Sequence, residues 1–237
     1  MTLRSLLRRA RRAPAPPRGE VRTDVGRVRT INEDRVLDRS AAGLWAVADG
    51  MGGMSAGDVA AQTAVDTLAA LEAVDDAAIV AAIGRANALI HAQGGGRSGA
   101  TIVAAHVAGG EARIYWAGDS RAYHVRGSAV RQVTRDHSYV QQLIDAGLLD
   151  EAAAGDHPRA NIVTRALGVA EHVEVDRVSV ALRSGDRLLL CSDGVSRSLD
   201  PHDLAADAPI GLLADRLLAA ALERDGSDNA SLVLIQI

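Results

Sequence analysis

At 237 residues, 48% hydrophobic and 24% charged, the chain is long enough for one well-buried globular domain and ordinary in composition. Cys191 is the single cysteine, which excludes an internal disulfide and fits a reducing cytoplasm, and no stretch reaches the roughly 18 apolar residues of a membrane helix. Six arginines against Glu20 make residues 1–20 basic, so the overall charge of −4 leaves −9 on the rest, an acidic body that argues against nucleic acid as a ligand.

The opening residues, "MTLRSLLRRARRAPAPPRGE", carry Arg4, Arg8, Arg9, Arg11, Arg12 and Arg18, stiffened by Pro14, Pro16 and Pro17. Leu3, Leu6 and Leu7 are too scattered for the apolar centre of a secretory signal. The composition predicts a disordered leader over 1–20, with docking to an acidic membrane surface or partner as the alternative. A single domain is expected over 21–237. Its first clear elements are strands at 34–39 and 43–48, joined by a short Ser-Ala-Ala-Gly link that signals a hairpin. Ser55 followed by Asp58 resembles a capping box, and Ala61, Val65 and Leu68 then fall on one helical face. A second helix is expected over about 76–92. Three strands follow, "ATIVAAHV", "EARIYWAG" and "RAYHVRG", the first two joined at Gly109-Gly110. Residues 136–168 break the rhythm and read as short helices and a loop laid over the sheet. Within them, Val140, Leu143 and Ile144 mark the packed side of one helix. Strands return at about 173–180 and 186–191, and a helix near 211–223 precedes the last strand, "ASLVLIQI". Helices grouped between strands, with no internal repeat, predict an α+β fold with mainly antiparallel sheets.

Several apolar strands run into carboxylates. Asp34 opens one strand of the predicted hairpin and Asp49 closes its partner, so antiparallel pairing sets both at one sheet edge. Asp193 closes another strand and Asp228 precedes the last, which lets four distant acids converge. Two carboxylates about 4 Å apart repel by roughly 4 kcal/mol at an effective dielectric of 20. A divalent cation removes that penalty, and an all-oxygen donor set without clustered His or Cys favours Mg²⁺ or Mn²⁺ over Zn²⁺. The glycines after Asp49 and Asp193 would let backbone carbonyls turn toward an ion. The plainer reading of each Asp-Gly is a turn.

Six ordered stretches, "RTINED" (29–34), "ADGMGG" (48–53), "SGAT" (98–101), "GDSR" (118–121), "CSDG" (191–194) and "SDN" (227–229), resemble the motifs of metal-dependent serine/threonine protein phosphatases of the PPM or type 2C family, bacterial type. The resemblance runs from about residue 21 to the C-terminus. It implies a β-sandwich of two antiparallel sheets flanked by helices, with a flap near 136–168 and two Mn²⁺ or Mg²⁺ ions in a cleft at one end. It implies that Asp49 bridges both ions, that Gly50 offers its carbonyl, and that Asp193 and Asp228 bind one ion. Glu33 and Asp34 match the acidic pair that binds the second ion or its waters. Arg29 matches the arginine that grips the substrate phosphate. Asp119, with Asp193, matches a weaker third-ion site, to which Asn161 is an extra candidate contact. Catalysis would then run through Arg29, Asp34 and Asp49, with a water between two cations acidified to attack phosphorus in line. The implied substrates are phosphoserine and phosphothreonine proteins, in a cytoplasmic signalling system of Ser/Thr kinases and their targets.

One position departs from many eukaryotic members. Met51 stands where they carry a histidine proposed to protonate the leaving alkoxide, and a thioether has no proton to give. Two rivals stand beside this reading. "CSDGVSR" satisfies Cys-x5-Arg, the signature of cysteine-based phosphatases, although Asp193 would then repel the phosphate from inside its own cradle. A phosphatase-like domain that binds phosphoproteins without turnover is the other. The seven histidines show no ligand spacing and read as structural or exposed.

Overall fold

The computed structural model describes residues 16–52 and 56–237. The bulk of the predicted leader, and Ser55 of the predicted capping box, lie outside them. The chain runs through β1 (Arg18–Asp24), β2 (Asp34–Arg39), β3 (Leu44–Met51), α1 (Ala56–Ala69), α2 (Asp76–Gly94), β4 (Gly99–Ala100), β5 (Ile102–Ala108), β6 (Glu111–Ala117), β7 (Arg121–Arg126) and β8 (Ala129–Gln132). It continues through α3 (Tyr139–Asp145), β9 (Asp176–Ala181), β10 (Arg187–Cys191), α4 (Asp193–Ser196), α5 (Pro201–Ala205), α6 (Ile210–Arg224) and β11 (Ala230–Gln236).

The strands form two antiparallel sheets, ordered β1-β11-β10-β7-β8 and β2-β3-β5-β6-β9, with β4 paired to β3. Strand alternation sorts side chains into three packed layers. Between the sheets lie Trp45, Val47, Val103, Ile114, Leu188, Leu190, Val233 and Ile235. On the outer face of the second sheet, Ala46, Ala48, Ile102, Ala104 and Tyr115 pack against α1 and α2. Ala60, Ala61 and Ala64 line that face of α1. On the outer face of the first sheet, Leu189, Leu232 and Leu234 meet Leu213 and Leu217 of α6. The central strands are apolar throughout because helices cover one face and the opposite sheet the other.

The hairpin links behave as their residues dictate. Gly43 ends the β2–β3 link at φ 63°, and Gly109 and Gly110 carry φ 60° and 81° between β5 and β6, the paired left-handed geometry of a tight turn. Strand β1 pairs with β11 from Arg18↔Gln236 to Asp24↔Ala230. This corrects the expected boundary: Arg18, Gly19 and Glu20, assigned by composition to the leader, belong to the folded body. The short β8, paired with β7, is an element the pattern did not suggest. In the 136–168 segment, Ser138 caps α3 by accepting from Gln141 N, and the helix buries Val140 with Leu143 and Ile144 half-buried.

Candidate active site

Asp34 lies directly opposite Asp49 in the β2–β3 register, so the hairpin alone brings two acids to one edge. In the other sheet, β10 and β11 are antiparallel neighbours. Asp193, the first residue of α4, leaves the end of β10 where Asp228 enters β11. The sheets stack with these ends together. The resulting cleft, about 330 Å³, is lined by Arg29, Glu33, Asp49, Asp119, Asp193 and Asp228, with Gly50, Met51 and Asn161 also on its wall. Asp34 sits one layer deeper, 3% exposed.

A hydrogen-bond lattice sets these groups in place. Ser192 Oγ donates to Asp34 Oδ2 at 2.7 Å and accepts from Ser231 N at 3.0 Å, joining β2 of one sheet to β11 of the other. Asn229 Oδ1 accepts from Glu33 N at 2.8 Å, while its Nδ2 donates to the Val25 and Ile31 carbonyls at 2.9 and 3.0 Å. One amide therefore fixes the whole loop that carries Arg29 and Glu33. Thr101 N donates to the Asp49 carbonyl at 2.8 Å, and Thr101 Oγ1 meets Ser120 Oγ at 2.7 Å, coupling the strand end at Asp49 to the turn at Asp119. His137 N donates to the Gly118 carbonyl and its Nδ1 accepts from Gly118 N, which ties the start of the 136–168 segment to the same turn. Gly50 has no room for a side chain: a Cβ there would run into the Gly57 and Glu33 carbonyls.

Burial and mutual repulsion dominate the electrostatics. Burial raises Asp34 to about 7, against its bond from Ser192, and Asp193 and Asp228 add to the rise. Burial holds Asp49 well above the usual carboxylate range, reinforced by Asp34, Asp193, Asp119 and Asp228. Asp119 is raised to about 7 by burial and then by Asp193, and Asp193 and Glu33 are raised chiefly by burial. Arginines answer part of the charge. Arg29 Nη2 donates to Asp228 Oδ2 at 2.9 Å, and Arg197 pairs with Asp193 and reaches to 3.9 Å from Asp228.

The donor set fits divalent cations. It offers only oxygen, and among the described residues the buried Asp34 Oδ1 has no hydrogen-bond partner, an orphan of the kind a cation or its bound water would satisfy. Among the described residues no three His, Cys, Asp or Glu side chains already enclose a single point. Asp193 and Asp228 instead pair with Arg197 and Arg29.

The candidate site residues gather at this end of the sandwich: Arg29, Glu33, Asp49, Gly50, Asp119, Asn161, Asp193 and Asp228 on the cleft wall beside Met51, and Asp34 behind it. The positioning roles of Asn229, Ser192, Ser231 and Thr101, and the ion pairs of Arg197, were not expected. Ser192, Asn229 and Thr101 stand inside the quoted motifs and Arg197 closes the Cys-x5-Arg stretch, but the sequence reading assigns no positioning role to any of them. The cysteine alternative fails on geometry: Cys191 is fully buried, its thiol is pushed up to about 12 by burial, and the motif's arginine is occupied with Asp193.

Two stacked antiparallel sheets flanked by helices, with a carboxylate-lined cleft at one end, define a domain of the metal-dependent phosphatase class. The chain belongs to the protein phosphatase 2C family, whose model matches residues 26–225. It is 35% identical over 238 residues to the serine/threonine phosphatase stp of Listeria innocua, a match covering 92% of this chain and 94% of that one. The crystal structure of the Mycobacterium tuberculosis serine/threonine phosphatase PstP superposes with a TM-score of 0.86 at 36% identity, covering 93% of this chain and 98% of that one. A structure of the PstP catalytic domain in complex with two manganese ions gives a TM-score of 0.83 at 34% identity, covering 93% and 97%.

Proposed function

We propose that the chain is a metal-dependent phosphatase that hydrolyses phosphoserine and phosphothreonine in proteins, with Asp49, Gly50, Asp193 and Asp228 holding Mn²⁺ or Mg²⁺ and Glu33 and Asp34 completing the second position. The observation that carries this reading is the convergence, from separate stretches of chain, of carboxylates whose affinity for protons is raised by burial and by one another. Two bound cations would neutralise the developing phosphoryl charge and make water nucleophilic near neutral pH.

The protein's own groups supply the rest. Arg29, half-exposed at the cleft, offers a planar guanidinium for two phosphate oxygens, held there by the loop that Asn229 pins. Asp34, bonded by Ser192 at the back of the cleft, would supply a carboxylate oxygen to the second position. Asp119, on the turn clamped by Thr101 and His137, supplies a further carboxylate, the candidate for a weaker third ion with Asn161 beside it. Met51 lines the cleft without a transferable proton, so it cannot protonate the leaving alkoxide.

Among the described residues no helix is long and apolar enough to cross a membrane. The reading extends to a cytoplasmic enzyme acting on the targets of Ser/Thr kinases, with the arginine- and proline-rich stretch that precedes β1 as a basic leader. Phosphate release from phosphoserine and phosphothreonine peptides tests the activity. Turnover with Mn²⁺, its loss with chelator and its loss in Asp193→Ala are expected. Equal rates for Asp193→Ala and wild type would overturn the site, and binding without turnover would make the chain a phosphoprotein reader instead.

A further inference from the structure

Arg197 stands one helical turn after Asp193, at the C-terminal end of the four-residue α4. Its Nη2 pairs with Asp193 Oδ2, and its Nη1 lies 3.9 Å from Asp228 Oδ2. A single guanidinium thus addresses two of the acids on the cleft wall. Arginine stays charged at any relevant pH, so this neutralisation cannot be relieved by losing a proton. The Asp193 side chain is only 16% exposed and that of Arg197 31%, so water screens the pair less than it would at an open surface.

We infer that Arg197 is a built-in counter-cation of the cleft: it neutralises Asp193 and Asp228 while no metal is bound, a divalent cation must displace it, and it thereby sets how tightly the cleft holds metal. This rests on the metal site proposed above. The competition is for charge, because Asp193 and Asp228, which receive the guanidinium, are carboxylates proposed to hold metal. Displacement has somewhere to go. A cavity of about 700 Å³ on the side of the 136–168 segment shares Arg197, Asp193, Asp119 and Asn161 with the cleft and is also lined by Glu151 and Asp156. That cavity, whose wall carries Arg121 and Arg135 as well as these acids, gives the released guanidinium volume to turn into. The arrangement holds the metal-free protein together against its own acidic repulsion and weakens metal affinity by the same interaction, since the two cations draw on one set of charges.

The test is a calorimetric titration of chelator-stripped protein with Mn²⁺, joined to thermal melts in chelator and in saturating Mn²⁺, on wild type, R197Q and R197K. R197Q is expected to bind Mn²⁺ about tenfold more tightly, the scale of one partly buried charge pair. Its melting temperature is expected to fall below wild type in chelator and to match or exceed it in Mn²⁺. R197K keeps the charge and is expected to restore both properties most of the way to wild type. An R197Q affinity equal to or weaker than wild type, or an equal loss of melting temperature with and without metal, would overturn the inference, the second by showing that Arg197 is only a structural support. Absence of Mn²⁺ binding in wild type and variants alike would overturn the metal site itself.

Discussion

Replacing Asp34 by Asn puts the electrostatic account of the cleft to a quantitative trial. In the metal-free protein Asp34 is 3% exposed, its Oδ1 is unpartnered, and it holds its proton up to about 7 instead of the ordinary 3.8. Between those two values the native state binds more protons than the unfolded chain, so each rise in pH favours unfolding. The penalty is absent below 3.8 and complete above about 7, where it amounts to about 4 kcal/mol for this one group. At pH 5 only about 1–2 kcal/mol of it has developed. Asparagine cannot ionise and still accepts from Ser192, although its new amide N–H₂ lacks a partner, at a cost of about 1–3 kcal/mol. That cost does not vary with pH. Removing the Asp34 charge also relieves Asp49, which Asp34 raises, so urea unfolding in chelator should show the stability of Asp34→Asn relative to wild type rising by about 3 kcal/mol or more from pH 5 to pH 8. His106 and His137, both lowered by burial, add a pH dependence of opposite sign that is common to the two proteins and cancels in the comparison. With saturating Mn²⁺ the order should invert, because the ion stabilises the carboxylate and not the amide. A difference between the two proteins that stays constant, or shrinks, from pH 5 to pH 8 in chelator would refute the reasoning.

Other consequences follow from single contacts. Asn229→Ala removes the bonds to Glu33 N and to the Val25 and Ile31 carbonyls. It should destabilise the fold by about 2–3 kcal/mol and raise KM for phosphopeptides more than it lowers kcat, by freeing the loop that presents Arg29; thermal melts and steady-state kinetics read the two effects. Gly50→Ala drives a Cβ into the Gly57 and Glu33 carbonyls and should cost about 1–3 kcal/mol together with most of the activity, as measured by denaturation and phosphate release. Cys191→Ser should retain activity within about threefold while losing about 1–3 kcal/mol of stability for an unpaired buried hydroxyl, and loss of activity in a folded variant would revive the thiolate route.

The convergence of the acids could be read ahead of the structure because it depends on local rules. A short link between two strands fixes the register that sets Asp34 against Asp49. An acid after β10 and an acid before β11 share an edge whenever those strands pair antiparallel. The edge strand β1 was obscured by Arg18, Glu20, Arg22 and Asp24, which break its apolar pattern, and by the prolines before it. Helix α4 spans only four residues, too few for any period to show. The lattice through Ser192, Ser231 and Asn229 depends on how one sheet sits on the other, a long-range relation that strand alternation does not encode. The grip of Arg197 on Asp193 follows from their four-residue spacing only once that stretch is known to be helical.

Anomalous diffraction from crystals of the chain soaked in Mn²⁺ tests the central claim most directly. The account predicts two manganese peaks in the cleft flanked by Asp49, with Asp193 and Asp228 turned from Arg197 and Arg29 onto one of them. Crystals with no manganese in the cleft, and those ion pairs intact at saturating metal, would contradict it.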